Sequence, residues 1–434
     1  MERIKSLLIV LLSCSAVYLV VLTQSIAVPS GLLSRPSTGG GGLAVADPAE
    51  TARPLRMAAV IPAGGNEVQR FGVQYSEADT ADLFQQAYTI LVEALSSANQ
   101  LKEVTEAEWR QALSAAPGLY FDWQGEVPLE VLDGWLSVEN PMLTGSVRRM
   151  VLAAREGRVF LCYFDEMAGG YYACASDVVS ASRLEEVVET LRDNGARFAF
   201  ETEEYSGLEP CTLVLGEPLS PAVYASVDPL GGSQSLSGLQ EALGFPESSA
   251  SFSGAGEQVI RSRNDTLRIG ADGTVTYEPA AEGSDRYLLS GYRVVGEACD
   301  GMEAVEGCRD LAQQAVDAVG GEERLFLMSA RETGQGGWEI QFGYSLDGVQ
   351  VRLGEDGWAA RFTVEQGQIT GFQLRMRCYT DTGTTTGVLP ERQAMAAMEA
   401  KGHENEELLL VYLDTGAEMV PASWAAASEL SGRG

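Results

Sequence analysis

The sequence predicts an α+β protein in which one N-terminal transmembrane helix precedes extracytoplasmic domains of antiparallel meander sheets packed with helices. Three observations support this class. There is an uncharged apolar run near the N-terminus, helical and strand-like periodicities alternate along the rest of the chain, and Gly-containing turns separate the strand-like stretches. The chain has 434 residues, which is room for several domains of about 100 to 200 residues each.

The apolar run extends from Ser6 to Val28 and contains no charged residue. It is longer than the roughly 20 residues that a helix needs to cross a hydrocarbon core. Arg3 and Lys5 precede the run, and the next basic residue after it is Arg35. This asymmetry predicts a single-pass protein of the cell membrane, with a cytoplasmic N-terminus and an extracytoplasmic body.

A cleavable signal peptide is the alternative, because Ser25 and Ala27 form an S-x-A site after the run. The apolar stretch from Leu7 to Leu22 exceeds the roughly 7 to 15 residues of a signal core, which favours a retained anchor. Within the run, Ser13 and Ala16 belong to a patch of small residues that would let a partner helix approach closely. A helix that faces only lipid is the equally open alternative.

The composition excludes several classes of function. With 61 acidic and 30 basic side chains, the formal net charge is -31, so a nucleic-acid partner is not expected. His403 is the sole histidine, which removes most imidazole chemistry. The Gly-rich stretches lack phosphate-binding spacings. The sequence predicts no enzyme and no catalytic, cofactor or metal site.

Composition shifts divide the chain into a series of segments. A stretch rich in Gly, Pro and Ser follows the apolar run and cannot bury enough apolar surface to order itself, so it predicts a flexible tether. The predicted segments are a cytoplasmic start and transmembrane helix (1–28), the tether (29–56), a membrane-proximal α+β domain (57–207), a middle strand-rich domain (208–290), a C-terminal α+β domain (291–426) and a tail (427–434).

Periodicity predicts the individual elements in chain order. Apolar residues at helical spacing predict a helix from Leu83 to Ala98, with Asp79 or Thr80 as its cap. Alternating strands are predicted on both sides of Asp-Gly and Gln-Gly turns. The remaining predictions are a hairpin of RVFLCYF and YYACAS, helices near Ser182–Asp193, SGLQEALGF, Val305–Val319 and Pro390–Gly402, a meander from Trp338 to Tyr379, and a final hairpin in LLLVYLDTGAEMVPASW.

Cys162 and Cys174 form a candidate disulfide in the first hairpin. Both lie six positions from Ala168, so a turn centred on Ala168 would place them directly opposite each other. Opposed strand residues have Cα separations of roughly 4.5 to 5.5 Å, within reach of a disulfide. An oxidising extracytoplasmic compartment would favour the bond. Cys299 and Cys308 form a weaker candidate pair.

Several motifs resemble the YycH/YycI family of regulators of a Gram-positive cell-wall two-component system. The resemblance is carried by EALGFPESSASFSGAGEQVIRSRNDTLRIGADGTVTY, by WEIQFGYSLDGVQVRLGEDGWAARFTVEQGQITGFQLRMRCY, and by LPERQAMAAMEA with LLLVYLDTGAEMVPASW. It covers about Leu208 to Trp424 and, more weakly, GLYFDWQGEVPLEVL. The C-terminal segment, 291–426, is YycI-like and also similar to PepSY-type modules. These motifs are turns and core strands, so they bear on fold more than on activity.

The resemblance implies a membrane-anchored regulatory protein with no known catalysis. Its expected partners are a membrane sensor histidine kinase, a paralogous regulator and, through one helix, the lipid bilayer. It would modulate the kinase, and so signal transduction, through transmembrane and ectodomain contacts. Two alternatives belong to other classes: a PepSY-like binding or inhibitory module for a secreted hydrolase, and a carboxylate-dependent extracellular hydrolase with two facing carboxylates of raised pKa.

Overall fold

A computed structural model describes most of the chain after residue 47. Within this part no helix is both long and apolar enough to cross a bilayer. The predicted transmembrane run Ser6–Val28, with Ser13 and Ala16, lies outside the described residues. The described ranges are 48–64, 67–231, 233–246, 248–254, 256–262, 265–279, 286–289, 299–321, 323–334 and 336–430.

Several helices of the described ranges begin after a polar residue whose side chain accepts a backbone hydrogen bond. Ser76, rather than the predicted Asp79 or Thr80, caps the long helix, because its side chain accepts a hydrogen bond from the Asp79 N–H at 3.3 Å. The helices are α1 Pro48–Thr51, α2 Glu77–Ser97, α3 Glu106–Leu113, α4 Leu129–Trp135, α5 Ala181–Val188, α6 Ser233–Ala242, α7 Gly301–Ala318, α8 Glu391–Ala400 and α9 Ala427–Leu430.

The segment 57–207 contains an antiparallel sheet, which we call the N-terminal sheet, with the strand order β2-β1-β4-β5-β6-β7-β3. The helix α2 packs on one face of this sheet, mainly against β7. Its apolar side chains, among them Leu83, Phe84 and Leu91, are buried there. The strands are β1 Arg56–Pro62, β2 Val68–Val73, β3 Ala98–Val104, β4 Gly118–Pro128, β5 Ser146–Arg155, β6 Arg158–Asp165 and β7 Gly170–Ser180.

The rest of the chain adds fifteen strands in the described ranges, mostly antiparallel. They are β8 Arg197–Phe198, β9 Leu213–Val214, β10 Ala222–Val227, β11 Ala250–Gly254, β12 Glu257–Ser262, β13 Asp265–Gly270, β14 Thr274–Glu278, β15 Arg324–Glu332, β16 Trp338–Leu346, β17 Val349–Leu353, β18 Ala360–Glu365, β19 Gln368–Arg375, β20 Cys378–Thr385, β21 Leu408–Asp414 and β22 Met419–Ala426.

Sheet hydrogen bonds run across the predicted segment boundaries. β14 pairs with β19, and β4 meets β15 in a short parallel contact at Glu126 and Ser329. β10 lies between β20 and β22. The boundaries near 207 and 290 stay predictions, while the architecture is a mixed α+β body with a large, mainly antiparallel sheet.

Local turns of the C-terminal meander agree with the sequence prediction. Asp347 and Gly348 have φ values of 48° and 76°, and Gln366 and Gly367 have 50° and 72°. Two successive positive φ values are typical of the tight turns that match the twist of paired strands. The predicted meander from Trp338 to Tyr379 comprises β16 to β19 and, after a break at Met376 and Arg377, the first residues of β20.

Helix α5 is shorter than the predicted Ser182–Asp193. It ends at Val188, and Asn194 lies beyond it, where its side-chain nitrogen donates to the Gly72 carbonyl at 2.7 Å. Asn194 Oδ1 also accepts from the Gly72 N–H at 3.0 Å. Asn194 therefore fastens the segment after α5 to strand β2 and does not cap the helix.

Candidate functional site: a buried ion cluster

Five charged side chains meet where the N-terminal sheet contacts the C-terminal part of the chain. We call them the ion cluster: Arg56, Asp122, Arg148, Arg149 and Glu407. The side chains of Arg56, Asp122 and Glu407 are 1%, 0% and 4% exposed. Buried charges at this level require partners, because the transfer of an isolated ion out of water costs far more than a typical folded protein can offset.

Strand register places four of the five residues together. Arg56 on β1 lies opposite Asp122 on β4, and Asp122 lies opposite Arg149 on β5. Arg148 is the next residue on β5, and its guanidinium also reaches Asp122, with Nε 3.2 Å from Oδ1. The N-terminal sheet therefore presents three guanidinium groups around a single carboxylate.

Glu407 supplies the second carboxylate from the far end of the chain. It directly precedes β21, and its backbone carbonyl accepts the Ala427 N–H at 3.0 Å. Arg148 Nη2 donates to both carboxylate oxygens of Glu407, at 2.7 and 2.9 Å. Arg56 Nη2 lies 3.0 Å from Oε1 and Arg149 Nη2 lies 2.9 Å from Oε2. All three arginines thus converge on one residue.

Glu209 completes the charge balance at the edge of the cluster. Its Oε2 lies 3.2 Å from Arg149 Nη1, and its side chain is 30% exposed. With Glu209 included, three guanidinium groups face three carboxylates. The cluster is therefore close to neutral and leaves no evident surplus charge for a ligand.

Electrostatics keep the buried carboxylates of the cluster ionised. Burial acts to raise the pKa of Asp122, but Arg148, Arg56 and Arg149 outweigh it and hold the pKa below its ordinary value. Burial likewise opposes ionisation of Glu407, and the same three arginines lower its pKa. Two ionised carboxylates cannot donate protons at neutral pH, and guanidinium groups cannot accept them. The arrangement suits a structural clamp and does not suit acid–base catalysis.

Two tyrosines beside the cluster stay protonated at neutral pH. Burial raises the pKa of Tyr75 to about 12, and burial together with the Asp122 charge raises the pKa of Tyr120. The Tyr75 hydroxyl accepts the Leu410 N–H at 3.2 Å. The Tyr120 hydroxyl donates to Asp122 at 3.3 Å. These hydroxyls serve as hydrogen-bonding groups of the clamp.

His403 is half-buried beside two glutamates and a serine. Glu406 Oε1 and Ser428 Oγ each lie 3.1 Å from the same ring nitrogen, Nδ1. A Ser-His-acid triad has the serine hydroxyl on Nε2 and the carboxylate on Nδ1. Here Nε2 instead lies 3.6 Å from Glu429. The group resembles a triad in composition but lacks its geometry.

The hydrolase alternative requires two facing carboxylates whose pKa values are raised. The two buried carboxylates that share partners, Asp122 and Glu407, have lowered values. Asp133 has its pKa raised to about 7, but burial is the sole cause and no second carboxylate contributes. Among the described residues no group of three or more His, Cys, Asp or Glu side chains is arranged to hold a metal ion.

The structure corrects the predicted disulfide between Cys162 and Cys174. Both thiols are free, and Cys162 lies opposite Ala173 while Cys174 lies opposite Leu161. The register differs by one residue from the prediction, which places the two side chains on opposite faces of the sheet. Cys299 and Cys308 are also free.

The turn of this hairpin sets the register. Asp165 lies opposite Gly170, so the loop has four residues and is not centred on Ala168. The Asp165 carboxylate accepts the N–H groups of Met167 and Ala168 at 2.9 and 3.1 Å. Aspartate often stabilises turns in this way. Asp165 is therefore a signal in the sequence for the start of this turn.

The ion cluster was not predicted from the sequence. Asp122 stands in the apolar stretch GLYFDWQ, and Arg148 and Arg149 stand in SVRRMVLAAR. Charged residues inside otherwise apolar strands are the one signal in the sequence that indicates a buried ion cluster. Their partner Glu407 lies among other acidic residues in ENEELLL, so nothing local distinguishes it.

Comparison with known proteins supports the fold. No family model matches the chain, and no curated protein matches it by sequence. By structure, it is similar to the crystal structure of YycH from Bacillus subtilis, with a TM-score of 0.53 and 10% sequence identity. The match covers 87% of this chain and 94% of the YycH chain. The chain therefore has a YycH-like fold.

Proposed function

We propose that this chain is a membrane-anchored extracytoplasmic regulatory protein that modulates a sensor histidine kinase of a two-component system. The observation that carries the proposal is the YycH-like fold, which extends over 87% of the chain and agrees with the resemblance of the sequence motifs to the YycH/YycI regulators. The proposed route of action is contact, through the transmembrane helix predicted at Ser6–Val28 and through the ectodomain.

The ion cluster supports an ectodomain that acts as one mechanical unit. Arg56 begins β1, where the predicted tether ends, and Glu407 directly precedes β21, the penultimate strand of the described residues. Because breaking a buried ion pair leaves an uncompensated charge, separating these elements is costly. A partner that binds the C-terminal strands would therefore act on the same body to which the tether is joined.

The predicted membrane helix supplies the proposed contact with the kinase. A helix can bias a kinase only if it binds the two signalling states with different affinity. A difference of about 1.4 kcal/mol would shift that equilibrium tenfold. A few close helix contacts at Ser13 and Ala16 are sufficient for a coupling of this size.

The test is to replace Ser13 and Ala16 with leucine in the full chain, expressed in cells that contain the candidate kinase. We expect weaker co-purification with the kinase and altered expression of its target genes, because bulky side chains keep the partner helix at a distance. Membrane insertion should persist, since leucine is more apolar than serine. The matched control is Thr23→Leu, which adds a leucine outside the small-residue patch.

Exchange of the whole segment Ser6–Val28 for an unrelated membrane helix is the decisive variant. Loss of regulation with retained membrane insertion supports the proposal. Unchanged kinase output would contradict the helix mechanism and leave the ectodomain as the sole contact. A wild-type chain that does not co-purify with any kinase would contradict the proposed function itself.

A further inference from the structure

A cavity of about 490 Å³ with an apolar floor lies on the face of the N-terminal sheet opposite α2. Its floor is formed by Ala153 on β5, Cys162 on β6, and Ala173 and Ala175 on β7. The short helix α3 forms one wall with Ala112. We call this cavity the alanine groove. Its volume lies within the roughly 300 to 1,000 Å³ of small-molecule sites.

The floor is open because its side chains are small. Strand register aligns Cys162 with Ala173, and Ala173 with Lys102 on β3. In the next row, Phe160 lies between Ala153 and Ala175. Larger aliphatic side chains at the alanine positions would fill the space beneath α3. Since α3 has only eight residues, it covers the floor in part and leaves the groove open to solvent.

The backbone of the floor offers no hydrogen-bonding edge. β5 is paired with β4 and β6, β6 with β5 and β7, and β7 with β6 and β3. A peptide laid in the groove would therefore bury amide groups with few partners, at a cost for each one. Gln100, Gln111 and Ser114 also line the groove but lie outside its floor. The apolar floor therefore favours an alkyl chain.

Two cationic side chains lie at the solvent-exposed edge of the groove, which we call the rim. Lys102 and Arg155 line the groove and are exposed, and within the described residues neither pairs with a carboxylate. Glu108 also lines the groove, so two cations and one carboxylate border it and the rim keeps a net positive charge. The Glu108 carboxylate already accepts the Thr105 N–H at 2.8 Å and the Thr105 hydroxyl at 2.9 Å. These bonds lower the pKa of Glu108 more than Lys102 and Arg155 do.

The charge of the rim is opposite to that of the whole chain. With a net charge of -31, most of the surface repels anions, whereas Lys102 and Arg155 attract them. An apolar floor bordered by two unpaired cations is complementary to an amphiphile with an anionic head group. Positive charge at the rim disfavours a cationic amphiphile for the same reason.

We propose that the alanine groove binds a single unbranched alkyl chain whose carboxylate or phosphate head group contacts Lys102 and Arg155. The inference is independent of the proposed regulatory function, because it concerns only this cavity and its rim. Each methylene that enters the groove is expected to tighten binding about fourfold until the groove is full.

The experiment uses the full chain in native membranes and a dodecanoate analogue with a diazirine at its terminal carbon. Photolysis should label peptides that contain Ala153 or Ala173, as read by mass spectrometry. Dodecanoate and dodecyl phosphate should compete with labelling, and the stronger competitor identifies the head group. Octanoate should compete far less well, and dodecyltrimethylammonium should not compete.

Three variants make the test specific. Ala173→Trp should abolish labelling by filling the floor, and Lys102→Glu combined with Arg155→Glu should lower affinity about tenfold or more. The charge-reversed pair has exposed side chains, so its folding should be unaffected even if the tryptophan variant is unstable. Arg261→Glu, which reverses another exposed cation on β12, is the matched control and should bind as the wild type does.

Labelling that maps elsewhere on the chain would overturn the proposed site. Equal competition by the cationic amphiphile, or equal binding by the charge-reversed pair and the wild type, would overturn the role of the rim. Competition by an extended peptide at the same concentration as dodecanoate would overturn the choice of an alkyl chain. All three failures are distinguishable from a failure of kinase regulation, which these measurements do not involve.

Discussion

Arg56 Nη2 lies 3.0 Å from Glu407 Oε1, and both side chains are almost completely buried, at 1% and 4% exposure. One residue opens the first strand of the described chain and the other precedes its penultimate strand. This ion pair therefore joins the start of β1 to the start of the hairpin formed by β21 and β22. Its energetic role can be measured by removing one charge at a time.

Glu407→Gln should destabilise the ectodomain by about 3 to 5 kcal/mol. The reason is that Arg56, Arg148 and Arg149 would keep their buried positive charges with one carboxylate fewer. Denaturant unfolding measures the change. The matched control is Glu339→Gln, which removes a glutamate 3.9 Å from Arg361 in a pair that is about half exposed; its effect should stay below about 0.5 kcal/mol. Equal losses in the two variants would contradict the clamp.

Acid should weaken the same clamp. The pKa values of Asp122 and Glu407 are lowered in the folded protein. Their stabilising contribution is therefore present above the unfolded values of about 4 and is lost as the pH falls below them. Unfolding free energies measured from pH 6 to pH 3 should decrease for the wild type. The decrease should be smaller for Glu407→Gln, which has already lost one of the groups.

The contribution of Asp133 to the free energy of unfolding should have the opposite pH dependence. Its side chain is 6% exposed, and burial raises its pKa to about 7. Because the folded state favours the protonated form, the contribution of Asp133 is full below about pH 4 and falls as the pH rises to 7. Asp133→Asn should remove up to about 4 kcal/mol of that decline. Parallel pH profiles for wild type and variant would contradict the raised pKa.

Cys162 and Cys174 should be free thiols in the purified protein. They lie on opposite faces of adjacent strands, so a bond would require a change of strand register. Burial raises their pKa values to about 12 and about 11, and a protonated, buried thiol reacts slowly. We expect maleimide to modify both residues in denaturant, whereas Cys174, which does not line the alanine groove, should stay unmodified in the native state. A peptide that joins Cys162 to Cys174 under non-reducing conditions would reject the observed register.

The α+β class and many elements followed from the sequence because they depend on local patterns. Asp347-Gly348 and Gln366-Gly367 need positive φ values that few residues adopt, and the flanking alternation of apolar residues fixes which face is buried. The long helix near Leu83 was predicted from the spacing of its apolar residues. These signals lie within a few residues of the structure they specify.

The tertiary structure decided what depends on distant residues. Whether Cys162 faces Cys174 or Ala173 turned on the four-residue loop that Asp165 stabilises, and a shift of one residue reverses every side chain of a strand. The carboxylate that joins Arg56, Arg148 and Arg149 comes from one of several glutamates at the other end of the chain, and only the tertiary fold selects Glu407. The alanine groove likewise arises because three adjacent strands align their small residues beneath a short helix, an alignment that no single segment of sequence encodes.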